Sequence, residues 1–361
     1  MAEKLRVGLI GCGRFAEPGH AVYYRLNPRA DFRAVCDMRE DAARKLAGKY
    51  GVPNVFTDAE EMMDSGLDAV SICTPTFTHA PLLEAAAARG IHVMCEKPFS
   101  ISVEEADSMI AACAGAGVKL HVGYHMRCDR GISRVRDFIR GGEYGDCFHA
   151  DIRWHGLSTM GNVPMVNRGL EIARMLGMSL EGFSPEWRLH DPRIPGGILE
   201  VFCHILDIAL WIFGEPDGVE GDARIISGES EKPEHATVML HYSDGPSVFL
   251  NMSSRTLSLR EKQQGRFNCT GGNIIYETSS VRQTALPARV TVETDNGLLG
   301  SRRTLAPAFD ARPARNLPHY RKIDNFLLDA MGELPPEEEK HVARGEDARA
   351  VDGIIQSIIK K

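Results

Sequence analysis

Short apolar runs alternate with amphipathic segments over the first 125 residues. Five runs have the length and the β-branched content of buried strands: "LRVGLI", "FRAVC", "DAVSIC", "IHVMC" and "KLHV". The segments between them have the apolar spacing of helices, and Ser102 and Glu105 form a capping box at the start of "SVEEADSMIAACAGAG". Strands that alternate with helices predict a parallel, doubly wound sheet in an α/β fold.

The pattern changes after Gly218. Runs such as "HATVMLHY", "PSVFLNMSS" and "RFNCTGGNIIYE" are short, β-type and joined by "SDG" and "TGG" turns. They predict antiparallel strands in the sheet of a second domain. Two later segments, "NLPHYRKIDNFLLDAMGE" and "GEDARAVDGIIQSIIKK", are predicted as amphipathic helices.

Composition narrows the class of protein. A net charge of −7 argues against nucleic acid as a partner, and no apolar run approaches the roughly 20 residues of a membrane span. The chain enters its first strand without a signal-peptide pattern. Nine cysteines without a CxxC pair fit neither a disulfide framework nor a zinc ribbon, so we expect a reducing cytoplasm and no metal.

The first apolar run leads into a glycine turn with the spacing of a dinucleotide fingerprint. Gly11, Gly13 and Ala16 match G-x-G-x-x-A, in which the glycines allow a tight turn and close approach to a pyrophosphate. The small third residue lets the following helix pack on its strand, and the N-terminus of that helix favours an anion. Arg14 and Phe15, between Gly13 and Ala16, are candidate cofactor contacts.

The second apolar run ends at Asp37, 24 residues after Gly13. This is close to the spacing of the acid that binds the adenosine ribose in such folds, and a carboxylate there favours NAD over NADP. The nearby Arg39 leaves NADP as the alternative cofactor. The alternative role of Asp37 is to cap the helix "REDAARKLAGKY".

Ligands of doubly wound sheets lie outside the carboxyl ends of the strands. The segments "TPTFTH" and "EKP" both follow predicted strands and are therefore expected at the ligand site. Pro98 restricts Lys97 to extended geometry, so we expect Lys97 beside the nicotinamide rather than on an ordinary solvated surface. Glu96 is predicted to hold the strand end or to bind the cofactor. Thr74, Pro75 and His79 are further cofactor candidates; His79 could equally cap the helix that follows.

At this point the sequence resembles the Gfo/Idh/MocA oxidoreductase family, through "GLIGCGRFA", "CTPTFTH", "GIHVMCEKP", "VGYHMRCD" and "GGILEVFCHILDIALWIFGEP". The resemblance implies a Rossmann domain, over residues 1–123. It also implies an α+β domain over residues 124–361, whose large, mostly antiparallel sheet forms homodimers or homotetramers. The implied reaction is hydride transfer between a nicotinamide cofactor and a secondary alcohol or ketone of a sugar, sugar derivative or cyclitol.

By the same resemblance, Lys97 is the catalytic lysine, His204 is the acid/base histidine, and Glu200 replaces the usual aspartate. Glu200 and His204 are four residues apart on a predicted helix, so the carboxylate can orient the imidazole. A core histidine held by its neighbour is the alternative. The chain departs from the family at Phe202, which would reshape the site, and in the segment 156–195, where "NRGLEIARMLGM" is predicted as a helix over the pocket.

Four more residues are candidate substrate contacts. Tyr124, His125 and Arg127 lie where the first domain passes to the second, although an interdomain ion pair would also explain Arg127. Trp154 ends a strand-like run and could be either a core residue or a platform for a sugar ring. Two other functions stay open: a catalytically silent sensor of the same fold, favoured by Phe202, and a redox-neutral glycosidase that keeps NAD bound.

Overall fold

The computed structural model describes residues 4–155, 175, 191–194, 196–226, 231–254, 262–278, 287–295, 300–306 and 309–359. Most of the segment 156–195, including the helix predicted over the pocket, lies outside these residues. The chain divides into two compact units. The first contains Met1–Cys128 and Leu317–Asp352, and the second contains Asp129–Asn316 and Gly353–Lys361.

The first unit is built on a six-stranded parallel sheet with the order β3-β2-β1-β4-β5-β6. Its strands are β1 Leu5–Ile10, β2 Ala30–Cys36, β3 Asn54–Phe56, β4 Ala69–Ile72, β5 His92–Cys95 and β6 Leu120–Val122. Its first five helices are α1 Val22–Leu26, α2 Glu40–Tyr50, α3 Ala59–Met63, α4 His79–Ala88 and α5 Val103–Ala116. The strand order reverses between β1 and β4, which is where such sheets bind their ligands.

Local sequence signals explain where several of these helices begin and end. The amide of Glu105 donates to Ser102 Oγ over 3.1 Å, and the Glu105 carboxylate accepts from the amide of Ile101, one residue before the predicted partner. Helices α2 and α5 end at Gly51 and Gly117, both in the left-handed conformation that glycine adopts without strain.

Three late helices belong wholly or partly to the first unit. They are α8 Pro318–Ala330, α9 Pro336–Glu339 and the first half of α10 Gly345–Ile359. The sequence placed residues 317–352 in the second domain. They pack with the first unit because Ile323, Phe326 and Leu327 join the core formed by β1 and β2.

The predicted helix α8 is present, and its polar side chains are buried along with its apolar ones. Residues 320–329 are all buried, including five polar side chains. Each of the five has a polar partner within the first unit; for example, Arg321 pairs with Glu338, and Asp324 accepts from Asn27. A sequence pattern counts charged residues as solvent-facing, whereas here ion pairs satisfy them inside the protein.

The second unit contains an eight-stranded sheet with the order β14-β13-β12-β11-β7-β10-β9-β8. Among the strand pairs described, only β7 and β10 run parallel, so the predicted mostly antiparallel sheet is confirmed. The strands are β7 Cys147–His155, β8 Gly218–Arg224, β9 His235–His241, β10 Ser247–Ser253, β11 Lys262–Cys269, β12 Gly272–Thr278, β13 Arg289–Asp295 and β14 Gly300–Thr304. Helices α6 Arg130–Gly141 and α7 Leu199–Phe213 also belong to this unit.

Candidate active site

The glycine turn after β1 is held between two neighbouring strand ends. The Gly11 amide donates to the Cys36 carbonyl over 2.8 Å, and the Gly11 φ angle is 88°. A Cβ at this position would lie 2.7 Å from the carbonyl oxygen of Cys73. Both the backbone angle and the lack of space therefore require glycine here.

Gly13 is glycine for a different reason. A Cβ there would meet no atom within 4 Å, so the backbone faces open space at the sheet end. Ala16 is buried and donates its amide to the Gly13 carbonyl, and one π-helical turn, Glu17–Ala21, follows before α1. An open glycine backbone at the start of a helical segment is suited to approach by a pyrophosphate.

Arg14 and Phe15 complete the turn. Arg14 is exposed, and Phe15 is partly buried, with its ring covering the backbone of Gly19. The Phe15 ring packs edge-to-face with His319, with 5.6 Å between ring centroids, and lies 5.9 Å from the Lys322 ammonium. One face of helix α8 thus reaches the cofactor turn.

Asp37 connects the turn to the end of β2. One carboxylate oxygen accepts from the Cys12 amide over 2.7 Å, and the other accepts from the Arg39 amide over 2.9 Å. Arg39, not Asp37, occupies the N-cap of α2. Asp37 is therefore a fixed carboxylate beside the glycine turn, with lone pairs left for a ribose hydroxyl.

His79 links the ends of β4 and β5. Its Nδ1 lies 3.1 Å from the Phe99 carbonyl oxygen, and its Nε2 lies 3.0 Å from the carbonyl oxygen of Thr74. Burial lowers the pKa of His79, and a neutral imidazole donates to only one of these two acceptors at a time. This side chain makes no cap to α4; it supports the loop containing Thr74 and Pro75.

The carboxyl end of β5 carries Glu96 and the partly buried Lys97. Glu96 Oε1 accepts from Lys322 Nζ over 2.7 Å and from His20 Nε2 over 2.8 Å. Glu96 Oε2 accepts from the Lys97 amide over 3.3 Å. Glu96 is consequently the centre of a buried network, which supports its predicted role in holding the strand end.

The network has one consistent arrangement of protons. His20 Nδ1 lies 2.9 Å from Ser71 Oγ, and that hydroxyl lies 2.6 Å from the Tyr24 hydroxyl. Because ionised Glu96 only accepts, His20 carries its proton on Nε2 and accepts at Nδ1 from Ser71, which in turn accepts from Tyr24. The contact of Lys322 with Glu96 is then an ion pair beside a neutral imidazole.

The pKa directions agree with this arrangement. Burial and the charge of Lys322 lower the pKa of His20 to about 4. Burial opposes ionisation of Glu96, but Lys322 and His20 outweigh it and hold the pKa of that carboxyl well below its usual range. Glu96 is therefore an anion and His20 is neutral at neutral pH.

Tyr124, His125 and Arg127 follow β6 and are all buried. The His125 ring stacks on His319, with 3.9 Å between centroids. Arg127 instead points to the C-terminal segment, where it donates to the Val342 carbonyl and pairs with Asp347 over 3.1 Å. That ion pair lies within the first unit rather than between domains.

In the second unit, Glu200 and His204 lie on the buried helix α7. The His204 ring is 5.8 Å from the ring of Trp154, which points from β7 to the same side as the buried Ala150 and Ile152. Phe202, the unusual residue between Glu200 and His204, is fully buried. The proximity of Trp154 to His204 places two of the predicted site residues in contact.

Comparison with known proteins decides which family these features represent. A model described as an oxidoreductase family with an NAD-binding Rossmann fold matches residues 5–124, and the GFO/IDH/MocA C-terminal domain matches residues 132–275. The chain belongs to the Gfo/Idh/MocA oxidoreductase family. The family predicted from the sequence motifs is thereby confirmed.

Relatives within the Gfo/Idh/MocA family include sugar and cyclitol dehydrogenases. Myo-inositol 2-dehydrogenase of Thermotoga maritima is 29% identical over 260 residues, covering 70% of each chain. D-apiose dehydrogenase of Paraburkholderia graminis is 27% identical, over 72% of this chain and 63% of the relative. Levoglucosan dehydrogenase, solved with NADH and L-sorbose, has the same fold at a TM-score of 0.79, with 19% identity over 99% of this chain and 96% of that one.

The first unit is the NAD-binding domain of this Gfo/Idh/MocA member. Its residues fit the cofactor, because Gly13 presents open backbone for a pyrophosphate and Asp37 presents a fixed carboxylate. Within the described residues, no group of three or more His, Cys, Asp or Glu side chains could hold a metal ion. No helix in that part of the chain is long and apolar enough to cross a bilayer.

Sequence reasoning missed the residues that surround Glu96 and His125. They are His20, Ser71, His319 and Lys322. A weak signal existed, since His319 and Lys322 stand three residues apart among the apolar positions of "NLPHYRKIDNFLLDAM". Nothing in the motifs near Lys97 indicated a partner more than 220 residues away.

Proposed function

We propose that the protein is an NAD-dependent dehydrogenase that acts on a secondary alcohol or ketone of a sugar, sugar derivative or cyclitol. The observation that carries the proposal is the position of Lys97. Lys97 follows Glu96, a buried carboxylate in an ion pair, at the end of β5. The cofactor turn lies at the end of a strand of the same sheet. The named activities of the inositol and apiose dehydrogenases support the substrate class.

In the proposed reaction, bound nicotinamide supplies the hydride acceptor or donor. Lys97 donates a hydrogen bond to the reacting oxygen as charge develops on it. His204 removes or returns the hydroxyl proton, a contribution that is typically about 10²–10⁴-fold. Glu200, one turn earlier on α7, orients the imidazole and stabilises its cationic form.

Asp37 supports a preference for NAD over NADP. Its carboxylate is fixed by two backbone amides, and a 2′-phosphate at this position would meet a negative charge. Arg39, 62% exposed at its side chain, is 4.0 Å from Asp37 and could accommodate that phosphate only if the carboxylate were removed. Titration with both cofactors tests this, and Asp37→Ser should reduce the preference for NAD by about tenfold or more.

For the substrate we propose contacts from Tyr124, His125 and Trp154. The stack of His125 on His319 adds His319 to this group, whereas the pairing of Arg127 with Asp347 favours a structural role. Each imidazole can donate and accept, which suits the hydroxyl groups of a carbohydrate.

The deciding experiment follows NADH formation with a panel of sugars and cyclitols. Lys97→Ala and His204→Ala should each abolish most turnover and leave the affinity for NAD unchanged. Lys45→Ala, on the exposed surface of α2, and His241→Ala, with a side chain 43% exposed, are matched controls that should retain activity. Unchanged rates in the first pair would refute the assigned roles, and release of a sugar without net NADH would indicate a redox-neutral glycosidase.

We also propose a cytoplasmic homo-oligomer, a dimer or tetramer formed through the outer face of the second sheet. That face carries Met239, 37% exposed, and the partly buried Phe249 among polar neighbours. All nine cysteines are free thiols, which suits a reducing compartment. Light scattering measures the subunit count, and Met239→Asp should lower it if this face is the interface.

A further inference from the structure

Two cysteines face each other across the central strand pair of the second sheet. In the antiparallel pairing of β7 with β11, Cys147 lies directly opposite Cys269. Residues directly opposite each other in such a pair have Cα atoms about 4.5–5.5 Å apart. A disulfide needs a Cα separation of about 4.4–6.8 Å. The strand pairing therefore brings the two cysteines to a separation that a disulfide can bridge.

A β-bulge in β7 produces this pairing. His149 pairs with Asn268, and the next pair along is Cys147 with Cys269, so Phe148 is an extra residue, 57% exposed. Successive side chains of a strand point to opposite faces of the sheet. Without the extra residue, Cys269 would lie opposite Phe148, and Cys147 would point to the other face. The bulge thus brings both thiols to one side of the sheet.

The two thiols contact each other directly, because a side-chain hydrogen bond joins them. The two strands stay connected beyond the pair. The Thr270 amide donates to the Asp146 carbonyl over 3.0 Å, and the Asp146 amide donates to Thr270 Oγ1 over 3.1 Å. Hydrogen bonds on both sides of the pair therefore hold the cysteines in place.

The hydrogen bond makes the two thiols chemically different. It lowers the pKa of Cys269, whereas the same bond and burial raise the pKa of Cys147. Cys147 therefore keeps its proton, which either the Cys269 sulfur or the His149 carbonyl oxygen, 3.6 Å from Cys147 Sγ, can accept. The thiolate is the reactive form of cysteine, so Cys269 is the more reactive of the two.

A small oxidant can reach this pair. Cys269 is 6% exposed and lies in the lining of a surface depression of about 550 Å³. Cys147 is partly exposed. A reactive thiol at the surface beside a second thiol is the arrangement found in redox-sensing cysteines.

We propose that Cys147 and Cys269 form a reversible redox site, in which a hydroperoxide converts the two thiols into a disulfide between β7 and β11. The proposal is independent of the proposed dehydrogenase activity. Under reducing conditions the pair stays a dithiol, and a dithiol reductant restores it after oxidation.

The chemistry balances with hydrogen peroxide as the oxidant. The Cys269 sulfur attacks one oxygen, the O–O bond breaks, and the other oxygen leaves as hydroxide, which takes a proton to become water. The sulfenic acid on Cys269 is then attacked by the Cys147 sulfur, which loses its proton, and the remaining oxygen leaves as water. The two thiols lose two electrons and two protons, and one peroxide is reduced to two waters.

The first test maps disulfides in the wild type and needs no variant. After treatment with hydrogen peroxide, the remaining thiols are alkylated and the protein is digested without reduction for mass spectrometry. We expect a crosslinked peptide that contains Cys147 and Cys269, the loss of two of the nine free thiols, and recovery of both with dithiothreitol.

Cys12 and Cys36 provide a comparison within the same molecule. Burial raises the pKa of Cys12 to about 12 and that of Cys36 to about 11, so both are protonated at neutral pH. They should react with peroxide at least about tenfold more slowly than the Cys147–Cys269 pair. A disulfide that forms first at other cysteines, or a pair that reacts no faster than Cys12 and Cys36, would overturn the proposal.

Serine variants test the role of each thiol. In Cys147→Ser, a sulfenic acid should accumulate on Cys269, where dimedone traps it, and the disulfide should be absent. In Cys269→Ser, dimedone labelling of Cys147 should be at least about tenfold lower, because burial still raises its pKa. Cys113→Ser, on α5, is the matched control and should form the disulfide at the wild-type rate. A sulfenic acid on Cys147 and none on Cys269 would overturn the proposed roles.

A stability measurement tests the geometry independently. The crosslink would join residues about 120 positions apart, which restricts the unfolded chain. The thermal midpoint of the oxidised wild type should therefore lie about 5 °C or more above that of the reduced protein. Cys147→Ser should show no such increase with peroxide. A crosslinked wild type whose midpoint does not rise would contradict the unstrained geometry on which the proposal rests.

Discussion

The first unit contains two functional strand ends that are built in opposite ways. The cofactor turn, residues 11–16, is made of backbone groups, and its supporting bonds come from the strand ends beside it. The lysine loop, residues 96–100, is held by side chains from four other places in the chain: His20, His79, Lys322 and Asp352. The cofactor turn depends on the absence of side chains, and the lysine loop depends on buried polar and charged side chains that each have a partner.

This difference has consequences for mutation. A backbone site fails when a Cβ is added, and the effect is steric and independent of pH. A site held by buried charges fails when one member is removed, because the remaining charge is left without compensation. The four predictions below test that contrast.

The largest effect is expected from Glu96→Leu. It leaves the Lys322 ammonium buried without its carboxylate, which should lower the free energy of unfolding by about 3–5 kcal/mol in urea titrations. Glu40→Leu is the matched control, because the ion pair of Glu40 with Arg44 is exposed and should contribute less than about 1 kcal/mol. Equal losses in the two variants would contradict the importance of the buried network.

Asp352 gives the lysine loop a pH dependence. It accepts from the amide and hydroxyl of Ser100, and burial raises its pKa to about 7. The unfolded chain loses this proton near pH 4 and the folded chain keeps it until about pH 7, so the group's stabilising contribution is complete below pH 4 and falls as pH rises to 7. Asp352→Asn should therefore gain stability over wild type between these values, by at most about 4 kcal/mol at pH 8. A constant difference from about pH 4 to 8, measured by denaturant unfolding, would contradict this.

In the cofactor turn, Gly11→Ala should destabilise the protein by about 1–3 kcal/mol. The cause is the positive φ angle together with the close approach to the Cys73 carbonyl. Thermal unfolding at two pH values should give the same loss, because no ionisable group takes part. A pH-dependent loss would show that the turn is coupled to the charged network.

The smallest effect on stability is expected from Gly13→Ala, below about 1 kcal/mol, since the new methyl group meets no protein atom. The affinity for NAD should nevertheless fall by about tenfold or more, because that methyl group occupies the approach of the pyrophosphate. Calorimetric titration with NAD beside a melting curve measures both. Unaltered affinity would contradict the assignment of Gly13 to the cofactor site.

The same contrast explains how much could be predicted from the sequence. Five strands of the parallel sheet and the glycine turn were predicted because their signals are local: apolar runs, Gly11 and Gly13, and Asp37 at the end of β2. The short strand β3 was not predicted, because its three residues form no apolar run of that length. The second sheet was predicted as antiparallel from its turns, but its strand order was not, because pairing between distant strands such as β7 and β10 leaves no trace in either run.

The lysine loop could be predicted only in part from the local sequence. Lys97 could be identified from its strand and the following proline, yet its support by Lys322 required knowing that α8 packs on the first unit. The charged residues of α8 gave no sign of this packing, because a sequence pattern does not show which charged side chains are buried with a partner. Whether Glu200, His204 and Lys97 act together remains a prediction from family resemblance.

Helix α8 belongs to the first unit although it comes late in the chain, and this affects the order in which parts of the protein can fold. A nascent chain that has just exposed residues 1–128 holds Glu96 and His20 but not yet Lys322, so the end of β5 cannot reach its final arrangement before helix α8 has left the ribosome. Transplanting only the N-terminal segment into a chimaera would separate the same partners. Exchange of this nucleotide-binding module between relatives therefore has to include residues 317–352.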